Sequence, residues 1–220
     1  MSQLAAQQMH AYYAQRAPYY DAVYEQPERQ EDIAFLRQHL ADCLSGRNVL
    51  EIACGTGYWS QHIAPRCPHY TATDALEEPL SLARQRPSLS HPRCLVADAY
   101  ALPESLGRFS GAFAGLWFSH VAIERRHEFF QSLHARLEPV ARVLLLDNSE
   151  RQCVDHPLVE TDSHGNTYQQ RPLRDGSLHR VLKNFPSDAE LMALATAFSL
   201  RETRIQRLDN FWLFDYQLPT

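Results

Sequence analysis

Short apolar runs alternate with helix-like segments over residues 48–147, and this alternation constrains the fold more than any other feature of the chain. Five runs have the composition of buried strands: NVLEIA (48–53), YTAT (70–73), RCLVA (93–97), GAFAGLWF (111–118) and RVLLLD (142–147). Helical spacing follows the first, second and fourth of them. The last run is the most hydrophobic, as in a strand covered on both faces. The pattern predicts a parallel sheet with helices on both sides.

The segments on either side complete a single α/β domain. After the fifth strand, two strand-like runs flank Asp175-Gly176, a dipeptide typical of a hairpin turn. Ser187 and Glu190 then have the spacing of a capping box ahead of a helix, and two final runs suit antiparallel strands at an edge of the sheet. We divide the one domain into a lid segment (1–30), a cofactor-binding core (31–148), an inserted hairpin (149–186) and a C-terminal helix with edge strands (187–220).

Composition and charge exclude several classes of function. The chain has 220 residues, enough for one core, and its net charge of -5 disfavours nucleic-acid binding, which requires a surplus of Lys and Arg. No apolar run approaches the roughly 20 residues that span a bilayer, and the first residues lack the pattern of a secretory signal. The five cysteines are scattered without a CxxC pair. We expect a cytoplasmic protein that binds neither nucleic acid nor membrane.

A glycine turn and two aspartates mark the ends of the first three strands. Gly55 and Gly57 follow the first strand, where glycine lets the backbone approach a ligand and the next helix offers free N–H groups. Asp74 ends the second strand and Asp98 the third. The carboxyl ends of parallel strands share one edge of a sheet, where ligands bind. A turn without a ligand, and aspartates that only cap helices, are the alternatives.

These residues resemble the cofactor-binding pattern of class I S-adenosylmethionine-dependent methyltransferases, over approximately residues 45–148. The resemblance implies a Rossmann-like, mostly parallel sheet of seven strands with an antiparallel strand at the C-terminal edge. It also implies S-adenosyl-L-methionine as cofactor and S-adenosyl-L-homocysteine as product. Carried over, the cofactor-binding residues are those of the first loop and the two strand-end acids with their neighbours: Glu51, Ala53, Cys54, Gly55, Thr56, Gly57, Asp74, Ala75, Asp98, Ala99 and Tyr100.

Two positions depart from the family pattern. Ala53 stands where the first glycine of the loop is expected, and Pro139-Val140-Ala141 replaces the usual Pro-Gly-Gly turn before the fifth strand. The first change is small, and the second leaves the geometry of that turn open. A dinucleotide dehydrogenase would have a third glycine where Ser60 stands. We therefore reject that alternative.

Five tyrosines and an arginine crowd the segment HAYYAQRAPYYDAVYE (10–25), ahead of the first strand. Its YYAQRAPYYD part resembles the YYxxRAxxYD lid of small-molecule methyltransferases. Tyrosine supplies a rigid wall and a π-face favourable to a sulfonium cation, and Arg16 would pair with the methionyl carboxylate. We assign Tyr13, Arg16 and Tyr20 to cofactor binding, and Tyr20 also to catalysis. An amphipathic helix that packs its rings on the core is the alternative.

The acceptor side is predicted from the end of the fourth strand and from the hairpin. We predict that His120 is a general base, because its ordinary pKa is about 6.5, and that Phe118 contacts the cofactor. A positioning role is the alternative for His120. Tyr168 and Arg171 are predicted to contact the acceptor, against the default of a solvated face. The acidic and histidine-rich stretch at 155–164 fits no ligand spacing, so no metal site is predicted.

Taken together, these features predict an enzyme that moves a methyl group from S-adenosylmethionine to O, N or S of a small-molecule acceptor. Methylation of a protein or an RNA is one alternative. A regulatory protein that binds the cofactor without turnover is another. The sequence leaves a homodimer open.

Overall fold

The computed structural model describes residues 3–89 and 93–220, with side chains from residue 8 onward. The strands of this part of the chain are β1 (Asn48–Ile52), β2 (His69–Asp74), β3 (Arg93–Val96), β4 (Phe109–Gly115), β5 (Leu137–Asn148), β6 (Leu158–Thr161), β7 (Thr167–Pro172), β8 (Leu178–Leu182), β9 (Arg201–Arg207) and β10 (Phe211–Gln217). Seven form the main sheet, in the order β3-β2-β1-β4-β5-β10-β9. All neighbours from β3 to β5 pair in parallel, and β10 is antiparallel to both β5 and β9. The predicted Rossmann-like sheet is confirmed.

The strand order creates a crevice at the carboxyl edge of this sheet. From β1 the chain builds outward through β2 to β3, then returns to the other side of β1 for β4 and β5. Connections on the two sides therefore leave in opposite directions, and the sheet opens between β1 and β4. The glycine turn lies at this point.

The helices are α1 (Gln3–Arg16), α2 (Gln30–Leu44), α3 (Ser60–Ile63), α4 (Glu77–Ala83), α5 (Arg126–His134) and α6 (Asp188–Ala197), and a 3-10 segment (Ala17–Tyr24) follows α1. Each face of the main sheet has its own apolar core, because side chains alternate along a strand. Leu50 packs with Phe129 in one core, and its neighbour Val49 packs with Leu36 in the other. Burying one such side chain contributes about 1.5–3 kcal/mol to folding. None of the helices described is long and apolar enough to cross a membrane.

A separate three-stranded sheet, in the order β6-β7-β8, carries the N-terminal helix. The predicted hairpin is β7 with β8, and Gly176 in its turn has a φ of +84°. The sequence missed β6, whose four residues are all exposed and show no buried face. Met9 and Tyr12 of α1 pack against Val181 and Leu182, so this sheet fixes the N-terminal segment over the main sheet.

The elements near the C-terminus follow the sequence pattern closely. The Ser187 hydroxyl accepts a hydrogen bond from the Glu190 N–H at 3.2 Å, and the Glu190 carboxylate accepts from the Ser187 N–H at 2.8 Å. The predicted capping box is therefore present at the start of α6.

The fourth strand is shorter than predicted, because β4 ends at Gly115 and residues Phe118–His120 form a 3-10 turn.

The altered turn before the most apolar part of β5 is strained. Val140 has a φ of +53°, in the left-handed region that β-branched residues rarely adopt. Its side chain is 45% exposed, so no burial compensates the strain. Valine thus occupies a conformation that the glycine of the usual turn would adopt freely.

Candidate active site

Two cavities lie at the carboxyl edge of the main sheet, beneath the N-terminal segment. The large cavity has a volume of about 470 Å³, within the range of small-molecule sites (about 300–1,000 Å³). The small cavity has a volume of about 60 Å³ and extends from it toward β8 and the residues after β5. Four residues line both cavities and form the shared wall: Tyr13, Tyr20, Leu116 and His120.

The glycines of the loop after β1 have two different roles. Gly55 has a φ of +56° and lines the large cavity, and a Cβ there would meet no atom within 4 Å. Gly57 has a φ of +74°, but a Cβ there would lie 2.8 Å from Leu89 Cδ1. Gly55 therefore leaves open space beside the cavity, whereas Gly57 lets the loop pack against the protein. Ala53 also lines the large cavity and takes a left-handed φ of +52°.

Glu51, in β1, anchors the loop that follows this strand. Its carboxylate is 1% exposed and accepts hydrogen bonds from the hydroxyls of Ser60 and Tyr70. Burial raises its pKa to about 7, against the opposing effect of those two hydrogen bonds. Glu51 reaches the lining of the large cavity, and both of its partners belong to the protein core.

The aspartates at the ends of the second and third strands, Asp74 and Asp98, both line the large cavity. Asp74 accepts hydrogen bonds from the N–H groups of Gly55 and Leu76, each at 2.9 Å. Asp98 accepts one from the Tyr100 N–H at 2.9 Å. A carboxylate has about four lone-pair positions, so both aspartates retain acceptor capacity toward the cavity. The cavity lining also includes Cys54, Thr56, Ala75, Ala99 and Tyr100, whereas Gly57, also predicted to bind the cofactor, lies outside it.

The N-terminal segment is tied to the same loop by an ionic cluster that the sequence analysis missed. Asp21 accepts a hydrogen bond from the Thr56 hydroxyl at 2.5 Å and forms an ion pair with Arg86. Arg86 also donates through Nε to the Thr56 carbonyl oxygen at 2.6 Å. No local pattern reveals this cluster, because Asp21 and Arg86 are 65 positions apart. The contacts hold the tyrosines of the segment over the large cavity.

His120 is buried and its ring is fully hydrogen-bonded. Nδ1 lies 2.6 Å from the Leu182 carbonyl oxygen, which only accepts, so Nδ1 carries the ring proton. Burial lowers the His120 pKa to about 3, with further contributions from Lys183 and Arg171. The neutral ring therefore accepts at Nε2 from the Tyr13 hydroxyl, at 2.8 Å. Such a ring is a weak proton acceptor, which favours the positioning alternative.

A buried ion pair supports the shared wall from behind. Lys183 donates to Asp147 at 2.8 Å and to the Ser119 hydroxyl at 2.7 Å, and both charged side chains are at most 1% exposed. Burial opposes ionisation of Asp147, but the charge and hydrogen bond of Lys183 together with the hydrogen bond from the Ser119 N–H lower the Asp147 pKa. The pairing joins β5 to the residue that follows β8, a contact that no local sequence pattern predicts.

The predicted site residues divide between the cavities and the core. Arg16 and Arg171 line the small cavity, and Tyr13 and Tyr20 line both. Phe118 does not reach either cavity, because β4 ends early and the ring packs in the core against Phe129. Tyr168 also lies outside both linings, and its hydroxyl donates to Asp162.

Comparisons with known proteins agree with this architecture. Residues 49–140 match the family described as "Methyltransferase domain". The solved "DhpI-SAM-HEP complex" is 26% identical with a TM-score of 0.81 and 100% of both chains covered, and the "DhpI-SAH complex structure" is 24% identical with a TM-score of 0.82, covering 100% of this chain and 99% of that one. The N-methyltransferase NodS from Bradyrhizobium japonicum WM9, in complex with S-adenosyl-L-homocysteine, shares the fold at 15% identity, with a TM-score of 0.69 and 97% and 100% of the two chains covered.

A curated relative that is also a methyltransferase matches part of the chain in sequence. The malonyl-[acyl-carrier protein] O-methyltransferase of Halorhodospira halophila (strain DSM 244 / SL1) is 33% identical over 101 residues, which are 40% of this chain and 34% of that protein. The chain thus matches about a third of the length of that relative. Residues 49–140 thus match a methyltransferase domain, and the chain as a whole has the fold of S-adenosylmethionine-dependent methyltransferases.

Proposed function

We propose that the protein transfers a methyl group from S-adenosylmethionine to O, N or S of a small-molecule acceptor. One observation carries this proposal: a large cavity and a small one meet at a wall of four shared residues beneath the N-terminal segment. A cofactor in the large cavity and an acceptor in the small one would meet there. The named relatives support the reaction class, since one is an O-methyltransferase and the solved DhpI complexes contain SAM or SAH.

The residues of the large cavity fit the cofactor chemically. The loop at Gly55 would hold the methionine part, where the absence of a Cβ leaves room. Asp74 would accept from the ribose hydroxyls, and Asp98 with Ala99 and Tyr100 would hold the adenine. When bound, the cofactor supplies an electrophilic methyl group on a sulfonium.

The N-terminal segment would position the reactants and exclude water. Tyr13 and Tyr20 reach the wall between the cavities, and the Asp21–Arg86 pair holds their segment on the loop. Displacement at a methyl group needs an in-line approach and close contact, so a fixed aromatic wall lowers the entropic cost of alignment.

The size of the small cavity favours a small acceptor over a protein or an RNA. Its volume is about 60 Å³, and it lies behind the aromatic wall. The net charge of -5 also disfavours RNA. We place the enzyme in the cytoplasm, in line with five cysteines that form no disulfide among the described residues.

A transfer assay tests this function against both alternatives. The protein is incubated with S-adenosylmethionine carrying a labelled methyl group and, separately, with a panel of small acids, amines, alcohols and thiols, with RNA, or with soluble protein. Label recovered in a small molecule supports the proposal. Label recovered only in RNA or protein contradicts it, and tight cofactor binding without transfer to any acceptor favours the regulatory alternative.

A further inference from the structure

Four cationic side chains converge on the small cavity. Arg29, Arg171 and Lys183 are 6%, 4% and 1% exposed, and Arg16 is half-buried beside them. Two carboxylates oppose these charges: Asp147 behind Lys183, and Asp155 in the cavity lining. Four cations and two carboxylates leave a surplus of two positive charges around a cavity whose volume is about 60 Å³.

The two buried guanidinium groups lack acidic partners among the described residues. Arg171 donates to the amide oxygens of Gln169 and Gln152 and to the Tyr13 hydroxyl, which are all neutral. Arg29 donates to the amide oxygen of Asn148 at 3.2 Å. Burying a cation without an ion-pair partner is costly, and an anionic ligand in the cavity would offset this cost.

Arg29 also has an unused donor. Its Nε is buried and has no hydrogen-bond partner within the described part of the chain. Unpaired buried donors are uncommon in folded proteins, since each costs about 1–3 kcal/mol. Burial lowers the Arg29 pKa, but a guanidinium remains charged at neutral pH. Arg29 thus brings both unbalanced charge and an unpaired N–H to the residues that line the small cavity.

The groups around the shared wall are poor bases. Burial raises the pKa of both Tyr13 and Tyr20, so their hydroxyls stay protonated. His120 has its Nε2 occupied by Tyr13, and burial lowers the pKa of the nearby His156 to about 4, with help from Arg171 and Arg16. None of these four groups takes a proton readily, so an acceptor oxygen in this cavity would react as an oxyanion that has already lost its proton.

We propose that the acceptor is a small oxyanion, a carboxylate or a phosphonate or phosphate group, bound by Arg29, Arg171 and Lys183 and methylated on one of its own oxygens. This inference rests on the proposed methyl transfer. In the reaction, an oxygen lone pair forms the C–O bond to the methyl carbon while the C–S bond breaks and its electron pair stays on sulfur. The products are a methyl ester and a neutral thioether, and no proton needs to be removed.

Calorimetry on the full chain, saturated with S-adenosylhomocysteine, tests the binding step. The probes are propionate and methylphosphonate, whose oxygens are their only nucleophiles, with propanol as the neutral comparison. We expect one of the anions to bind and propanol to bind far more weakly, and the tighter anion identifies the acid class. Equal affinity for propanol and both anions would overturn the inference.

Variants assign the anion to the small cavity. Arg171→Gln and Arg29→Gln should each weaken anion binding by roughly 10–100-fold, the range for losing a charge-assisted hydrogen bond. Their affinity for S-adenosylhomocysteine should stay close to that of the wild type. Arg201→Gln, at an exposed position of β9 outside both cavity linings, removes the same charge and should have no effect. If the glutamine variant fails to fold, Arg171→Lys replaces it in the titration. Lysine keeps the charge but lacks the forked donors of the guanidinium, so anion binding should still weaken.

Product analysis separates this inference from the function on which it rests. Mass spectrometry of the probe after incubation with S-adenosylmethionine should reveal its methyl ester. Anion binding without ester would contradict the assignment of the oxygen as methyl acceptor, and unchanged anion affinity in both glutamine variants would contradict the site. A wild-type protein that fails to bind S-adenosylhomocysteine would instead contradict the proposed function.

Discussion

The hydroxyl of Tyr13 donates a hydrogen bond to Nε2 of His120 over 2.8 Å and accepts one from Arg171 at 3.2 Å. One phenol thus joins the N-terminal segment, the turn after β4 and the second sheet at the point where the two cavities meet. The arrangement fixes both the tautomer of His120 and the direction of the Arg171 guanidinium. It predicts that these residues act on the acceptor together.

Tyr13→Phe should separate positioning from packing. The change keeps the ring but leaves Nε2 of His120 and one N–H of Arg171 without their partner, at a cost of about 1–3 kcal/mol. We expect kcat/KM for the acceptor to fall about 10–100-fold, while affinity for the cofactor changes little. Steady-state kinetics with Tyr19→Phe as the control checks this, since Tyr19 lines neither cavity. Equal losses in both variants would argue against the positioning role.

The pH dependence of activity distinguishes the two roles of His120. Its pKa of about 3 keeps the ring neutral at every pH where the protein would be assayed. The pH profile of kcat/KM should therefore contain no inflection near pH 6.5 that is present in the wild type and lost in His120→Gln. Glutamine offers a donor and an acceptor and should restore part of the activity that alanine loses. An inflection that disappears in His120→Gln would restore the general-base hypothesis.

The lowered pKa of His120 also predicts that acid destabilises the fold. The folded-state pKa lies below the unfolded value of about 6.5, so the unfolded state binds more protons between these values and stability falls as pH decreases through this window. At pH 5 this one group destabilises the fold by about 2 kcal/mol relative to pH 8. Denaturant unfolding at the two pH values should show a smaller loss for His120→Gln than for the wild type. An identical loss would contradict the buried neutral histidine.

Val140→Gly should stabilise the protein. Glycine relieves the left-handed strain, worth roughly 1–2 kcal/mol, but loses more entropy on folding, so we expect a net gain of about 0.5–1 kcal/mol. Thermal unfolding measures the gain, and Val140→Ala, which lacks the β-branch but keeps the Cβ, should fall between glycine and valine. A destabilised glycine variant would show that the turn is not strained.

The sequence predicted elements whose determinants are local, and it missed contacts that depend on topology. The capping box at Ser187 and the aspartates at two strand ends follow from spacing within a few residues, and the structure has them where expected. Phe118 was assigned to the cofactor by continuing the fourth strand, and the 3-10 turn after Gly115 changes the direction of its ring. Arg29 gave no local pattern, because its contact with Asn148 joins residues 119 positions apart.

Calorimetric titration of S-adenosylhomocysteine into the wild type and into Asp74→Ala tests the central claim most directly. Asp74 lies at the end of β2 in the large cavity, and a carboxylate that accepts from two ribose hydroxyls is worth about 2–4 kcal/mol there. We predict one site per chain in the wild type and an affinity about 30–1,000-fold lower in the variant. Circular dichroism verifies the fold, and Asp209→Ala at an exposed position is the control. No binding by the wild type, or equal affinity in Asp74→Ala, would contradict the account.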